Sequence, residues 1–122
     1  MAVVTLTKEN FKETITNNDF VIIDFWAPWC DPCVAFTPTF EAAAEKNAYI
    51  VFGMVDTEKD LEIADYVYVN KIPAILVVRE QASMHAQQGE IGAQAFDEII
   101  KWARDYDMKT VRQYYKDEAG KS

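Results

Sequence analysis

Two cysteines, Cys30 and Cys33, are the residues of this 122-residue chain whose type and spacing could do chemistry. Only Asp31 and Pro32 separate them, so in a helix they lie about one turn apart, within reach of a reversible disulfide. A strand ending at Trp26 and a helix beginning around Pro32 would set Cys30 at a helix N-terminus. There, unpaired N–H groups and the positive end of the helix dipole favour a thiolate. The same spacing occurs in zinc modules, but zinc wants four ligands. The chain offers its two cysteines and one histidine, His85, far off on an expected edge strand. No metal is expected, and a redox-active pair is the better reading.

The elements that must position this pair alternate along the chain. Thr7 is suited to cap a short helix carrying Phe11 and Ile15 on one face, and Asn17-Asn18-Asp19 ends it. Phe20 to Trp26 is an almost continuous apolar run, the pattern of a strand buried on both faces. The next helix begins around Pro32, because the missing proline N–H costs nothing in a first turn. Phe36, Phe40, Ala43 and Ala44 form its apolar stripe, and Pro38 within it predicts a kink. A strand over 49–55 and a helix over 58–66 follow, with Leu61 and Ala64 expected to face inward. Strands over 74–78 and 83–88 are joined by a turn. A helix over 92–106 then carries Phe96, Ile99, Ile100 and Ala103 at helical spacing. Met108, Val111 and Tyr115 keep that spacing, so the helix is expected to continue over 107–118. The order βαβαβαββα predicts an α/β fold, a mixed sheet with helices on both faces. The expected division is a domain over 1–106 and a helical extension over 107–122 packed on it.

Composition excludes other classes. Half of the residues are apolar, ample for one core in a domain of this length. A formal charge of −8 provides no basic face for phosphates, so no nucleic-acid partner is expected. The longest apolar stretches, 21–23 and 74–78, fall far short of the roughly 20 residues that span a bilayer. The N-terminus has no basic stretch followed by an apolar run, so no secretory signal is read there. A soluble, cytoplasmic protein without a membrane partner is expected. In that reducing compartment a cysteine pair cycles rather than staples.

The run Val21-Ile22-Ile23-Asp24-Phe25-Trp26-Ala27-Pro28-Trp29-Cys30-Asp31-Pro32-Cys33 resembles the thioredoxin family's active-site segment almost position for position. Asp24 matches the family's buried aspartate, Trp26 and Trp29 its tryptophans, and Pro38 its helix-kinking proline. Lys71-Ile72-Pro73-Ala74 is similar to its cis-proline loop, and Gly89 to its late glycine. The similarity covers roughly residues 3–105 and implies the thioredoxin fold. It also implies the mechanism: Cys30 attacks a target disulfide, and the shielded Cys33 resolves the mixed disulfide. Asp24, buried and raised in pKa by desolvation, would take the Cys33 proton through water; a structural polar residue satisfied by backbone groups is the lesser alternative. Ile72 and Pro73 would present backbone groups to an extended substrate, with the proline crowding metals away from the thiols. Trp29 would give targets a flat apolar rim. The family carries no bound cofactor beyond its own disulfide. Its electrons come from NADPH through a separate, flavin-dependent thioredoxin reductase, and a monomer acting on disulfide-containing proteins is expected.

The chain departs from the family pattern at three positions near the thiols. Asp31 stands for the common glycine, Val34 for a frequent lysine, and Met54 for the lysine two residues before the acid matched by Asp56. All three make the surroundings less positive, which predicts a potential at or below the roughly −270 mV typical of thioredoxin. Asp31 also simply suits a helix's first turn, as Pro32 does, so both shape the active-site turn as well as its redox tuning. The competing readings are a reductase dedicated to one partner, an oxidase or isomerase, and a thioredoxin-fold binding module without turnover. The absence of histidine between the cysteines speaks against the second. Intact Cys30, Cys33, Asp24 and Pro73 speak against the third.

Overall fold

The computed structural model describes residues 3–66 and 69–120. Along the chain run β1 (Val3–Leu6), α1 (Phe11–Asn17), β2 (Phe20–Trp26), α2 (Asp31–Lys46), β3 (Val51–Asp56) and α3 (Leu61–Tyr66). They are followed by β4 (Ala74–Arg79), β5 (Ala82–Gln88), α4 (Ala93–Asp105) and α5 (Met108–Gly120). The five strands form one mixed sheet in the order β1-β3-β2-β4-β5. β3 pairs parallel with β1 and β2, while β4 is antiparallel to β2 and β5 antiparallel to β4.

β2 is the middle strand, and its apolar run follows from that place. Val21, Ile22, Ile23 and Phe25 have no exposed surface because helices cover both faces of the sheet. Strand alternation sends Phe20 and Ile22 to one side, where they pack with Phe36 and Phe40 of α2 and Phe96 and Ile100 of α4. Val21, Ile23 and Phe25 go to the other, against Phe11 of α1 and Ile63 of α3. The Phe40 ring lies 5.3 Å from Phe52 and 5.9 Å from Phe96, which ties α2 to both the sheet and α4. α2 runs without a break through Pro38, which lacks the N–H that would bond the Val34 carbonyl.

Gly53 fits β3 for a steric reason. A side chain there would place its Cβ 2.5 Å from Leu6 Cδ1 and 2.7 Å from Leu6 Cγ. Leu6 is fully buried, so it can yield only by displacing other core side chains. Gly53→Ala should therefore destabilise the fold by about 1–3 kcal/mol, read from the urea midpoint. A variant as stable as wild type would show that Leu6 repacks freely.

Four expectations need correction. α1 is not capped by the Thr7 side chain: Asn10 occupies the cap position, and its Oδ1 accepts from the Thr7 N–H at 2.7 Å. Thr7 contributes its carbonyl instead, which accepts from Asn10 and Phe11. The helix expected from 58 starts at Leu61, because Asp56 Oδ1 holds Glu58 and Lys59 in a preceding turn. That late start turns Leu61 outward, 63% exposed, and brings Ile63 into the core. The side chain of Ala64 is outside the described residues. β3 begins at Val51 rather than Tyr49, which is 59% exposed. The chain also leaves the helix at Tyr106, and α5 is a separate helix rather than a continuation of α4.

α5 starts afresh at Asp107, whose carboxylate accepts from the Lys109 N–H at 2.9 Å. Met108 is buried, and Arg112 makes a two-pronged ion pair with Glu80 in the β4–β5 turn. Arg79 donates to the carbonyls of Ala103, Arg104 and Tyr106, closing the end of α4.

Candidate active site

The parallel strands β2 and β3 end at the same edge of the sheet, and α2 starts there. Cys30 is the cap of α2 in extended backbone, with φ −93° and ψ 103°. Its N–H donates to the Ala27 carbonyl, and its Sγ accepts from the Cys33 N–H at 3.3 Å. Asp31 and Pro32 occupy the first two helical positions, where an acidic side chain and a missing N–H are both favourable. Cys30 and Cys33 are joined as a disulfide with Cα atoms 5.2 Å apart. Cys30 keeps 6% of its surface while Cys33 has none. The helix end that stabilises the outer sulfur therefore leaves the inner one shielded.

Around this pair the other expected residues take distinct places. Trp29, 67% exposed, stands beside Cys30 as an uncovered aromatic face. Trp26 and Ile72 pack against the cluster of Ala27, Cys30 and Cys33. The Ile72–Pro73 peptide is cis, and Pro73 is buried. Its carbonyl accepts from the Gly89 N–H at 2.8 Å, and Gly89 has φ +97°, a conformation that glycine adopts without strain. Asp31 and Val34 are exposed.

Asp24 is the single buried charged or polar residue among those described. Its Cα partners are Met54 on β3 and Ile75 on β4. Strand alternation places it on the face of Ile22 and Trp26, under α2. Neither carboxyl oxygen has a hydrogen-bond partner among the described residues. Burial alone pushes the carboxyl up from 3.8 to about 7. With Met54 in the neighbouring register position, β3 supplies no ammonium there to oppose that rise. Trp26, which packs against the cysteine cluster, lies two residues along from Asp24 on the same strand face.

His85 lies apart, its ring 6.2 Å from Trp102 on α4. Among the described residues no three His, Cys, Asp or Glu side chains are gathered as metal ligands. A groove of about 410 Å³ opens beside the pair, lined by Asp31, Pro32, Phe36, Pro73, Glu90 and Ile91 among others. Reasoning from sequence does not reach Glu90 and Ile91, whose one signal is that they follow Gly89.

Comparison with known proteins agrees with this geometry. The family model described as "Thioredoxin" matches residues 2–104. The chain is 49% identical over 110 residues to "Putative thioredoxin 2" of Streptomyces coelicolor, covering 90% of this chain and 82% of that protein. It is 33% identical over 89 residues to "Thioredoxin C-3" of Corynebacterium nephridii, covering 72% of this chain and 61% of that one. A solved thioredoxin structure from Plasmodium falciparum superposes with a TM-score of 0.76 at 26% identity, over 80% of this chain and 96% of that one. With the family model spanning most of its length around a paired cysteine couple, the chain belongs to the thioredoxin family of thiol–disulfide oxidoreductases.

Proposed function

We propose that the protein is a general protein-disulfide reductase of the cytoplasm, working as a monomer and recharged by a thioredoxin reductase that draws on NADPH. The observation that carries this reading is the placement of Cys30 at the cap of α2, with the Cys33 N–H on its sulfur. In the reduced protein that N–H and the helix dipole favour the Cys30 thiolate. The thiolate attacks one sulfur of a target disulfide, and the other target sulfur leaves as a thiolate that takes a proton from water. Cys33 then loses its proton, with Asp24 as acceptor through water, and attacks Cys30 Sγ. The second target sulfur leaves. Two electrons have passed to the target, and Cys30–Cys33 is oxidised. Trp29, Ile72 and Pro73 receive the target segment, and Asp31 and Pro32 set the turn and its potential. Residues 1–106 carry this chemistry, and 107–122 are an extension whose helix α5 is tied to the β4–β5 turn through Arg112 and Glu80.

Among the described residues no helix is long and apolar enough to cross a membrane. The test is reduction of insulin with dithiothreitol as donor, then with NADPH and a thioredoxin reductase. Turnover with both supports the reading. Insulin bound but not reduced would make the chain a binding module.

Asp31 supplies a second, quantitative check. A unit charge about 6 Å from the Cys30 thiolate, at an effective dielectric near 40, costs roughly 1.4 kcal/mol before screening. This destabilises the reduced form, so Asp31→Gly should raise the potential by on the order of 10–30 mV. Glutathione equilibration at two salt concentrations reads the change. A shift of opposite sign, or one indifferent to salt, would mean that Asp31 acts through turn geometry.

A further inference from the structure

Two grooves meet at the start of α4. The first, about 410 Å³, opens between Asp31 at the head of α2 and Pro73. The second, about 620 Å³, runs along α4 past Glu98 to His85 and Trp102. Both are lined by Glu90, Ile91 and Gly92, so they form one cleft that leads away from the reactive pair. From Gly92 to Trp102 the helix rises about 15 Å, the length of four to five extended residues. The floor is apolar, made by Ile91, Ile99 and the half-exposed Trp102 ring.

The charged side chains that line the cleft are all acidic. Asp31, Glu90 and Glu98 are exposed carboxylates on the cleft, and no Lys or Arg lines either groove. Lys71 is not among the lining residues, although its Nζ comes within 3.7 Å of where a Cβ at Gly89 would stand. None of the three carboxylates takes part in an ion pair among the described residues. The first turn of α4 has neither a side-chain cap nor an acidic residue, so its N–H groups remain available to a carbonyl. A target disulfide that reaches Cys30 brings its flanking segment to the head of this cleft.

We propose that the cleft binds a cationic stretch of the target polypeptide, four to five residues beyond its reacting cysteine, with Lys or Arg side chains facing Glu90 and Glu98 and stacking on Trp102. The inference rests on the disulfide-reductase reading and names the substrate class that the site prefers. Charge attraction at such a rim acts mainly on encounter and KM, and salt screens it. Trp102 adds a cation–π contact that an acidic segment cannot make.

The test uses two peptides with one central cysteine, each capped by 2-mercaptoethanol through a disulfide. They differ only in carrying lysines or glutamates at the second to fifth positions on both sides. Wild type should reduce the lysine peptide with a kcat/KM about tenfold higher, mostly through KM. The ratio should fall below about threefold at about 0.5 M NaCl. Glu98→Lys should reduce it severalfold, whereas Glu13→Gln, which removes a charge on α1 across the sheet, should leave it unchanged. A wild-type ratio near one, or equal effects of the two substitutions, would overturn the proposal. Hydroxyethyl disulfide, which is neutral and too short to reach along the cleft while its disulfide lies at Cys30, separates a failure of reduction from a failure of charge recognition. If it too is not reduced, the reductase reading has failed. The cleft is then judged by binding alone, with serine in place of the peptide cysteine: the lysine peptide should shift the Trp102 indole resonance, and no shift would overturn the proposal.

Discussion

Cys33→Ser should trap covalent mixed disulfides with target proteins, and Cys30→Ser should trap none. Cys30 holds the helix cap and the remaining exposure, so it is the sulfur that a target can reach. Cys33 has no exposed surface and serves only to attack Cys30 once the target is attached. Removing Cys33 leaves the first step intact and deletes the second, so adducts accumulate. Turnover should fall by about a thousandfold or more in either variant, since both steps need their own thiolate. Non-reducing gels of the purified variants mixed with a disulfide protein read this directly. Equal trapping by both, or trapping by Cys30→Ser alone, would reverse the assigned roles.

Asp24→Asn should stabilise the fold, and the gain should depend on pH. The folded carboxyl keeps its proton up to about pH 7, whereas the unfolded one releases it near 3.8. Across that window unfolding releases a proton, so wild-type stability falls as pH rises, and the full penalty is present above pH 7. The gap corresponds to on the order of 4 kcal/mol at 1.36 kcal/mol per unit. Asparagine carries no such penalty, so the variant should match wild type near pH 4 and exceed it by several kcal/mol at pH 8. Met54→Lys should shrink the wild-type slope, because an ammonium at the paired β3 position favours the ionised carboxylate. The same Asn variant should slow the resolving step about tenfold or more if Asp24 accepts the Cys33 proton. Urea unfolding at pH 4, 6 and 8 decides the first point. An advantage that does not change with pH would mean that the carboxyl is not held neutral by burial.

Much of the fold and the cysteine pair at the centre of the candidate site are legible in the chain, and the reasons differ by residue. β2 announces itself because a central strand covered on both faces must be apolar throughout. Asp24 is conspicuous there as the one residue that breaks the run. The Cys-x-x-Cys spacing is equally plain, since a helix turn and a proline fix its geometry. What stayed hidden depends on short-range hydrogen bonds that periodicity does not see. In α3, six residues are too few to choose a face, and the Asp56 turn that delays its start decides between Leu61 and Ile63. At Asn10 a side chain bonding backwards to Thr7 moves the cap by three residues. Between α4 and α5, Arg79 collects the last carbonyls of α4 from across the fold, so the break at Tyr106 has a tertiary cause that helical spacing alone does not reveal. Glu90 and Ile91 join the site only because β5 returns beside Pro73, a contact that no local pattern encodes.

Two reducing equivalents should pass from Cys30 and Cys33 to a target disulfide in one cycle. Fully reduced protein, freed of dithiothreitol and mixed with excess insulin, tests it most directly through a count of the thiols left on each partner. The chain should lose both of its thiols while insulin gains two, with the Cys30–Cys33 disulfide found in the chain by peptide mapping. Insulin left oxidised, with both cysteines of the chain still free, would contradict it.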